Sequence, residues 1–435
     1  MRSNRLPIVF FAAAIVVMAG SVLWLVWESQ SAESYKADLS KVKHTLHSGK
    51  PKAAAPVSKA PADAAKAAEP GPVTTPVIDT LNIPGSVPNE ALLTFQSAEA
   101  MAAFRARASA LGLEVLGYDH KLRMVRVRFK SPAGLNNDLT DHASDYAYIG
   151  PNLITRIPNV PAPAPQTDTA NAGGSAPFRT QMLNAIGATG NRSGWGKGVT
   201  VAVLDSGITN HPALAGVQIA HYDLVNDGSA FYGHGTAMAS LIAGNDANAG
   251  GVAVAAKLID MRVADGNGDS NTALLSSGIM QATDLGARVI NISLGATGDS
   301  PVLDEAVNYA LSRNVVVVAA AGNEQLDALS MPAGIPGVLS VGAVDATGLQ
   351  AYFSNSGEGL VLAAPGVGII SAYSGNKLVI GSGTSQASAI TSGVVAYLLG
   401  RGYYAQNIIP LLTRSALPLS APSVAVGAGL LQLPK

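Results

Sequence analysis

Hydrophobic positions along this chain fall into distinct regimes, each predicting a different element. From Pro7 to Trp27 they run unbroken through 21 residues with no charge. As a helix that run spans roughly 31 Å, enough to cross a bilayer. Arg2 and Arg5 precede it and Trp24 and Trp27 close it, which predicts residues 1–28 as a membrane anchor with everything after Glu28 outside the cytoplasm. The rival reading is a signal peptide cut near Ala19, although such apolar cores are usually shorter. Either way the remainder of the chain is exported. Residues 29–87 lose the apolar pattern and become rich in Ala, Pro and Lys, as expected of an extended spacer.

Between 88 and 157 the pattern returns in short units. It predicts a strand over 91–95, a helix over 97–111, and a hairpin of 113–117 with 122–129. A helix over 136–143 and a last strand over 146–149 follow, ended by Gly150-Pro151-Asn152. The order β-α-β-β-α-β is that of a small α+β, ferredoxin-like domain. Nothing in it has catalytic character, and His120 and His142 read as surface residues. Residues 158–177 form a second Pro/Ala/Gly linker, a natural place for cleavage. From 178 to 435 near-continuous apolar strands (199–204, 258–263, 288–294, 315–320, 338–344) alternate with helical patterns (235–243, 272–285, 302–312, 385–399). That alternation predicts an α/β domain with a mainly parallel sheet covered by helices on both faces.

Charge and composition narrow the function. The chain has 28 Lys and Arg against 29 Asp and Glu, so no basic field exists to attract nucleic acid. It has no cysteine, which excludes disulfides, thiol catalysis and zinc-cysteine sites.

In parallel sheets, sites form beyond the carboxyl ends of the strands, and polar residues of catalytic type stand there. Asp205 ends the first strand in Asp205-Ser-Gly-Ile; a carboxylate in that place needs partners, or merely caps the turn that follows. His234 opens a helix with glycine on each side. Asn323 follows the fourth strand, where its amide serves an oxyanion or closes a turn. Ser385 stands at the start of the last helix, within a run of small residues over 381–393. Each signal is weak alone; the four together form the set that acyl transfer requires. Ser385 attacks a carbonyl, His234 moves the proton, and Asp205 holds the imidazole. The Asn323 side chain and the Ser385 N–H bind the oxyanion.

On these residues the chain resembles the subtilisin-like serine proteases, the subtilases of peptidase family S8. Asp205-Ser-Gly-Ile with His211-Pro212, His234-Gly-Thr-Ala, Ala321-Gly-Asn and Gly383-Thr-Ser-Gln-Ala-Ser are similar to that family's aspartate, histidine, oxyanion and serine motifs. The order Asp, His, Ser is also the family's. The resemblance implies a serine endopeptidase acting on polypeptides, with Ser293, Leu294 and Gly295 lining the substrate cleft. It further implies that residues 88–157 are a propeptide that inhibits its own enzyme, and that self-cleavage in the 158–177 linker matures the protein. Two positions depart from the family: Gln386 stands where Met is usual and Ala389 where Pro is usual. No cofactor is implied. Calcium occurs in the family, but Asp265-Gly-Asn-Gly-Asp-Ser-Asn lacks the glycine and distal glutamate of an EF-hand loop and reads as a turn. The alternative to the enzyme is a non-catalytic homologue that binds peptides in the same cleft.

Overall fold

The computed structural model describes residues 80–158 and 175–434. The expected span at 7–27, most of the first spacer and most of the 158–177 linker lie outside the described residues. Among the described residues no helix is long and apolar enough to cross a membrane.

The first described unit is a small α+β module. Its elements are β1 (Ser86–Phe95), α1 (Ala98–Arg107), β2 (Leu113–Asp119), β3 (Met124–Phe129), α2 (Ala133–Asp141) and β4 (Tyr146–Arg156). Ser97 caps α1 by accepting from the Ala100 N–H at 3.1 Å. The strands pair antiparallel in the order β2-β3-β1-β4. Side chains alternate across this sheet. Ala91, Leu93 and Phe95 face Met101 and Phe104 of α1. Leu92, Leu122 and Met124 join a core that belongs to the large domain, so both faces are covered.

One boundary departs from the sequence reading. The last strand does not stop before Gly150-Pro151-Asn152 but runs to Arg156. A register irregularity on β1 between Ser86 and Ala91, where Ala91 faces Pro151, accommodates the proline as bulges commonly do. Beyond it, residues 154–156 leave the module and pair with β8 (Asp269–Asn271) of the large domain, a partner that no local pattern encodes.

In the large domain β5 (Thr200–Asp205) and β6 (Ile219–Asp223) precede α3 (His234–Ala243) and β7 (Lys257–Arg262). After β8 come α4 (Thr272–Asp284), β9 (Val289–Ile292), α5 (Pro301–Ser312), β10 (Val316–Ala320), β11 (Leu339–Val344) and β12 (Leu362–Pro365). A hairpin of β13 (Ile369–Tyr373) and β14 (Lys377–Gly381) leads into α6 (Thr384–Gly400). Seven strands pair in parallel in the order β12-β11-β10-β9-β5-β7-β6. Val201 and Val203 of β5 pack on the side of α3 and α6, while Ala202 and Leu204 pack on the side of α4 and α5. The sequence pattern missed β6, β12 and the β13–β14 hairpin, which are short or carry exposed polar positions.

Helix α6 is buried nearly all round. Its small residues allow close packing, and its hydroxyls bond inside the fold. Thr391 Oγ1 donates to Ala387 O at 2.8 Å and Ser392 Oγ to Asn291 Oδ1 at 3.0 Å. Strand order reverses between β5 and β9, so the loops after these neighbouring strands diverge and leave a crevice.

Candidate active site

The sheet register brings the candidate residues to that crevice. Leu204 pairs with Ile292, so Asp205 and Ser293 step off the ends of adjacent strands side by side. Asp205 is fully buried and its carboxylate is satisfied from two directions. Oδ1 accepts from Ser206 N at 2.7 Å and Ser206 Oγ at 3.1 Å. Both oxygens face His234 Nδ1, at 3.0 and 2.9 Å. The aspartate thus caps its own turn and holds the histidine at once. Nδ1 must carry the proton in this contact, which leaves Nε2 as the acceptor.

Packing enforces the pair. A side chain at Gly235 would place its Cβ 2.5 Å from Gly207 O and 3.2 Å from the Asp205 Cβ. Only glycine lets the start of α3 press against the end of β5, and that closeness delivers the imidazole to the carboxylate.

The nucleophile side is built at the start of α6. Ser385 is 2% exposed and its hydroxyl donates to Ser293 O at 3.3 Å, not to His234. Asn323 is oriented by Thr384, whose N–H and hydroxyl both donate to Asn323 Oδ1, at 2.9 and 2.8 Å. With its oxygen tied down, the amide turns Nδ2 the other way. A Cβ placed on Gly383 would lie 3.0 Å from that Nδ2 and 3.7 Å from Ser385 N. Glycine therefore keeps a small space clear beside Asn323 Nδ2 and Ser385 N.

Ser293, Leu294 and Gly295 form an edge after β9, and that edge is taken. Arg156 N donates to Gly295 O at 3.1 Å and Gly295 N to Arg156 O at 3.2 Å. On the other side Ile154, Thr155 and Arg156 pair with β8, and Ile157 N donates to Gly268 O at 3.0 Å. Residues 154–157 thus lie as a middle strand in a two-sided slot, just ahead of the 158–177 linker. The Asp265 loop serves as a turn. Asp265 Oδ1 accepts from the N–H groups of Asn267 and Asp269, at 2.8 and 3.0 Å, while Asp269 pairs with Arg156 at 2.6 Å. Among the described residues no cluster of three or more His, Asp or Glu is placed to hold a metal.

Several supporting residues were invisible in the sequence because they act from distant positions. Thr384, which orients Asn323, is one of them. Asp260, 1% exposed on β7, accepts from Ile208 N at 3.0 Å and from His221 Nδ1 at 2.8 Å, steadying the turn after Asp205. Burial pushes the Asp260 carboxyl above its ordinary range, with the His221 hydrogen bond opposing; that same bond raises His221. Asn355 accepts from the N–H groups of Glu324 and Leu326, both at 3.0 Å, fixing the turn after Asn323. Burial raises Glu324, with the Asn355 amide opposing. Gln386, 7% exposed, leaves Oε1 without a hydrogen-bond partner, and that atom would stand 2.8 Å from a Cβ on Gly383. The unusual glutamine therefore borders the same space beside Gly383.

Comparison with known proteins agrees with this geometry. Residues 196–429 match the model of the subtilase family, peptidase family S8. A thermostable alkaline protease of Halalkalibacterium halodurans is 36% identical over 257 residues, covering 58% of this chain and 70% of that protein. Thermitase of Thermoactinomyces vulgaris is 35% identical over 232 residues, or 52% of this chain and 83% of that protein. The crystal structure of fervidolysin from Fervidobacterium pennivorans, a keratinolytic enzyme related to subtilisin, superposes with a TM-score of 0.69 at 26% identity. It covers 81% of this chain and 61% of its own. With its strand-end residues converging at the reversal of a parallel sheet, the chain belongs to the subtilase family.

Proposed function

We propose that the protein is a serine endopeptidase, made as an exported proenzyme whose residues 88–157 inhibit the site that follows them. The observation that carries this reading is the Asp205–His234 pair, held at 2.9 Å at the end of β5, beside the strand whose Ser293 O accepts from Ser385. In the reaction Ser385 Oγ bonds to the carbonyl carbon of the peptide and its proton passes to His234 Nε2. Asp205 stabilises the imidazolium. The oxyanion sits between Asn323 Nδ2 and Ser385 N–H. His234 returns the proton to the leaving amine, and water then releases the acyl group by the same route. The Ser385 hydroxyl, which rests on Ser293 O, leaves that acceptor as its proton passes to His234. The protein's own side chains supply every group, so the reading calls for no cofactor.

The propeptide assignment is supported by residues 154–157 lying in the strand slot of the large domain. The likeness to fervidolysin also covers 81% of the chain, more than the large domain alone provides. The apolar run at 7–27 supports export, with a membrane tether that a cut in the linker would sever. The substrate is an extended polypeptide pairing with the 293–295 edge. A fluorophosphonate probe tests the reading on the large domain separated from residues 88–157: it labels Ser385 and leaves Ser385→Ala unlabelled. A folded, separated wild type that stays unlabelled overturns it.

A further inference from the structure

The strand in the slot ends in a residue that cannot complete its own ladder. Arg156 and Gly295 exchange both backbone hydrogen bonds, which makes them a hydrogen-bonded pair of an antiparallel ladder. Continued by two residues in each direction, that ladder would set Pro158 opposite Ser293. An ordinary residue there would donate its N–H to Ser293 O. Proline has no N–H to give.

Ser293 O accepts instead from the Ser385 hydroxyl, at 3.3 Å. A hydroxyl carries one proton and cannot direct it to two acceptors, so a serine donating to Ser293 O is not donating to His234. The Asp205–His234 pair is meanwhile already formed. The imide nitrogen of Pro158 therefore removes the backbone bond that would seat the peptide beside Ser385, and the Ser385 hydroxyl is the donor that Ser293 O receives.

We propose that Pro158 makes residues 154–158 an uncut strap: a substrate-like strand that occupies the cleft in a register whose next peptide bond the enzyme does not hydrolyse efficiently. The maturation cut then falls further along the linker, once the strap has left the cleft. The proposal rests on the protease reading above and concerns only where the chain cuts itself.

The test uses the full-length chain, with fragments identified by intact mass and N-terminal sequencing. Wild type yields no major fragment beginning at Asn159. Pro158→Ala, which restores the N–H, yields that fragment at least about 5-fold faster, the factor expected from one ladder hydrogen bond. Pro158→Ala with Ser385→Ala yields none, which assigns the cut to the chain itself. If wild type and Pro158→Ala are cut equally at 158–159 while Ser385 is labelled by the fluorophosphonate, the strap is overturned and the protease reading stands. If Ser385 is labelled in neither chain once residues 88–157 are separated from the large domain, both readings fall.

Discussion

The small module and the large domain solve opposite problems with their sheets. In the large domain's main sheet all seven strands run the same way, so every carboxyl end opens on one edge, and Asp205, Ser293 and Asn323 follow three of those strands there. In the module the strands alternate, so no edge collects chemistry and the useful product is a face. Leu92, Leu122 and Met124 on that face pack into the large domain's core, and β4 extends from it into the cleft. Parallel order concentrates reactive groups; antiparallel order presents a surface and a strand end.

That contrast can be broken at points of decreasing consequence. The largest effect belongs to the large domain's edge. Asn323→Ala removes an oxyanion donor and is expected to lower kcat about 10²–10³-fold with little change in KM, measured on a chromogenic peptide with matured enzyme. An equal rise in KM with kcat unchanged would mean that Asn323 binds substrate and not the transition state.

A smaller effect is expected where the module's charges are buried. Glu90 is fully buried, bonded by Arg126 at 2.7 Å, Arg128 at 3.0 Å and Asn152 Nδ2 at 2.9 Å. Asn152 in turn accepts from Thr272 Oγ1 and Ala273 N at the start of α4, both at 3.2 Å. Glu90→Gln is expected to destabilise the module by about 1–3 kcal/mol, because Arg126 and Arg128 keep partial access to water. Thermal unfolding in the Ser385→Ala background measures this. Burial pushes the Glu90 carboxyl up, but its Arg126, Asn152 and Arg128 partners outweigh burial and hold it below its ordinary value. The cluster's stabilisation is accordingly complete above the ordinary glutamate range and lost as pH falls through the lowered value.

The smallest effect has the opposite sign. His221 is raised by its bond to Asp260, so its contribution is complete below about pH 6.5, the ordinary imidazole value. It is lost as pH rises through the raised one. Half the His221 side chain is exposed, which screens the pair. His221→Ala should flatten a shallow decline of the large domain's stability above neutrality. An unchanged pH profile would show that Asp260 is held by Ile208 alone.

Much of this was legible from sequence because the large domain's signals are local. Buried parallel strands read as apolar runs, and residues 200–205 and 316–320 fall within a residue or two of expectation. Asp205, His234, Asn323 and Ser385 stand out as polar residues punctuating such runs. The residues that orient them do not. Thr384 beside Asn323 looks like a helix cap, and Asn355 and Asp260 look like any loop or strand polar group until folding sets them against the site.

The sequence by itself determined the alternation of elements, the family and the four candidate catalytic residues, because hydrophobic period and short motifs are properties of neighbouring residues. Tertiary structure alone decided that β4 runs past Pro151 into the cleft, that Arg156 meets Gly295, and that the Ser385 proton points to Ser293 O. Those outcomes depend on strand register between segments more than a hundred residues apart, and register follows from packing whole faces together.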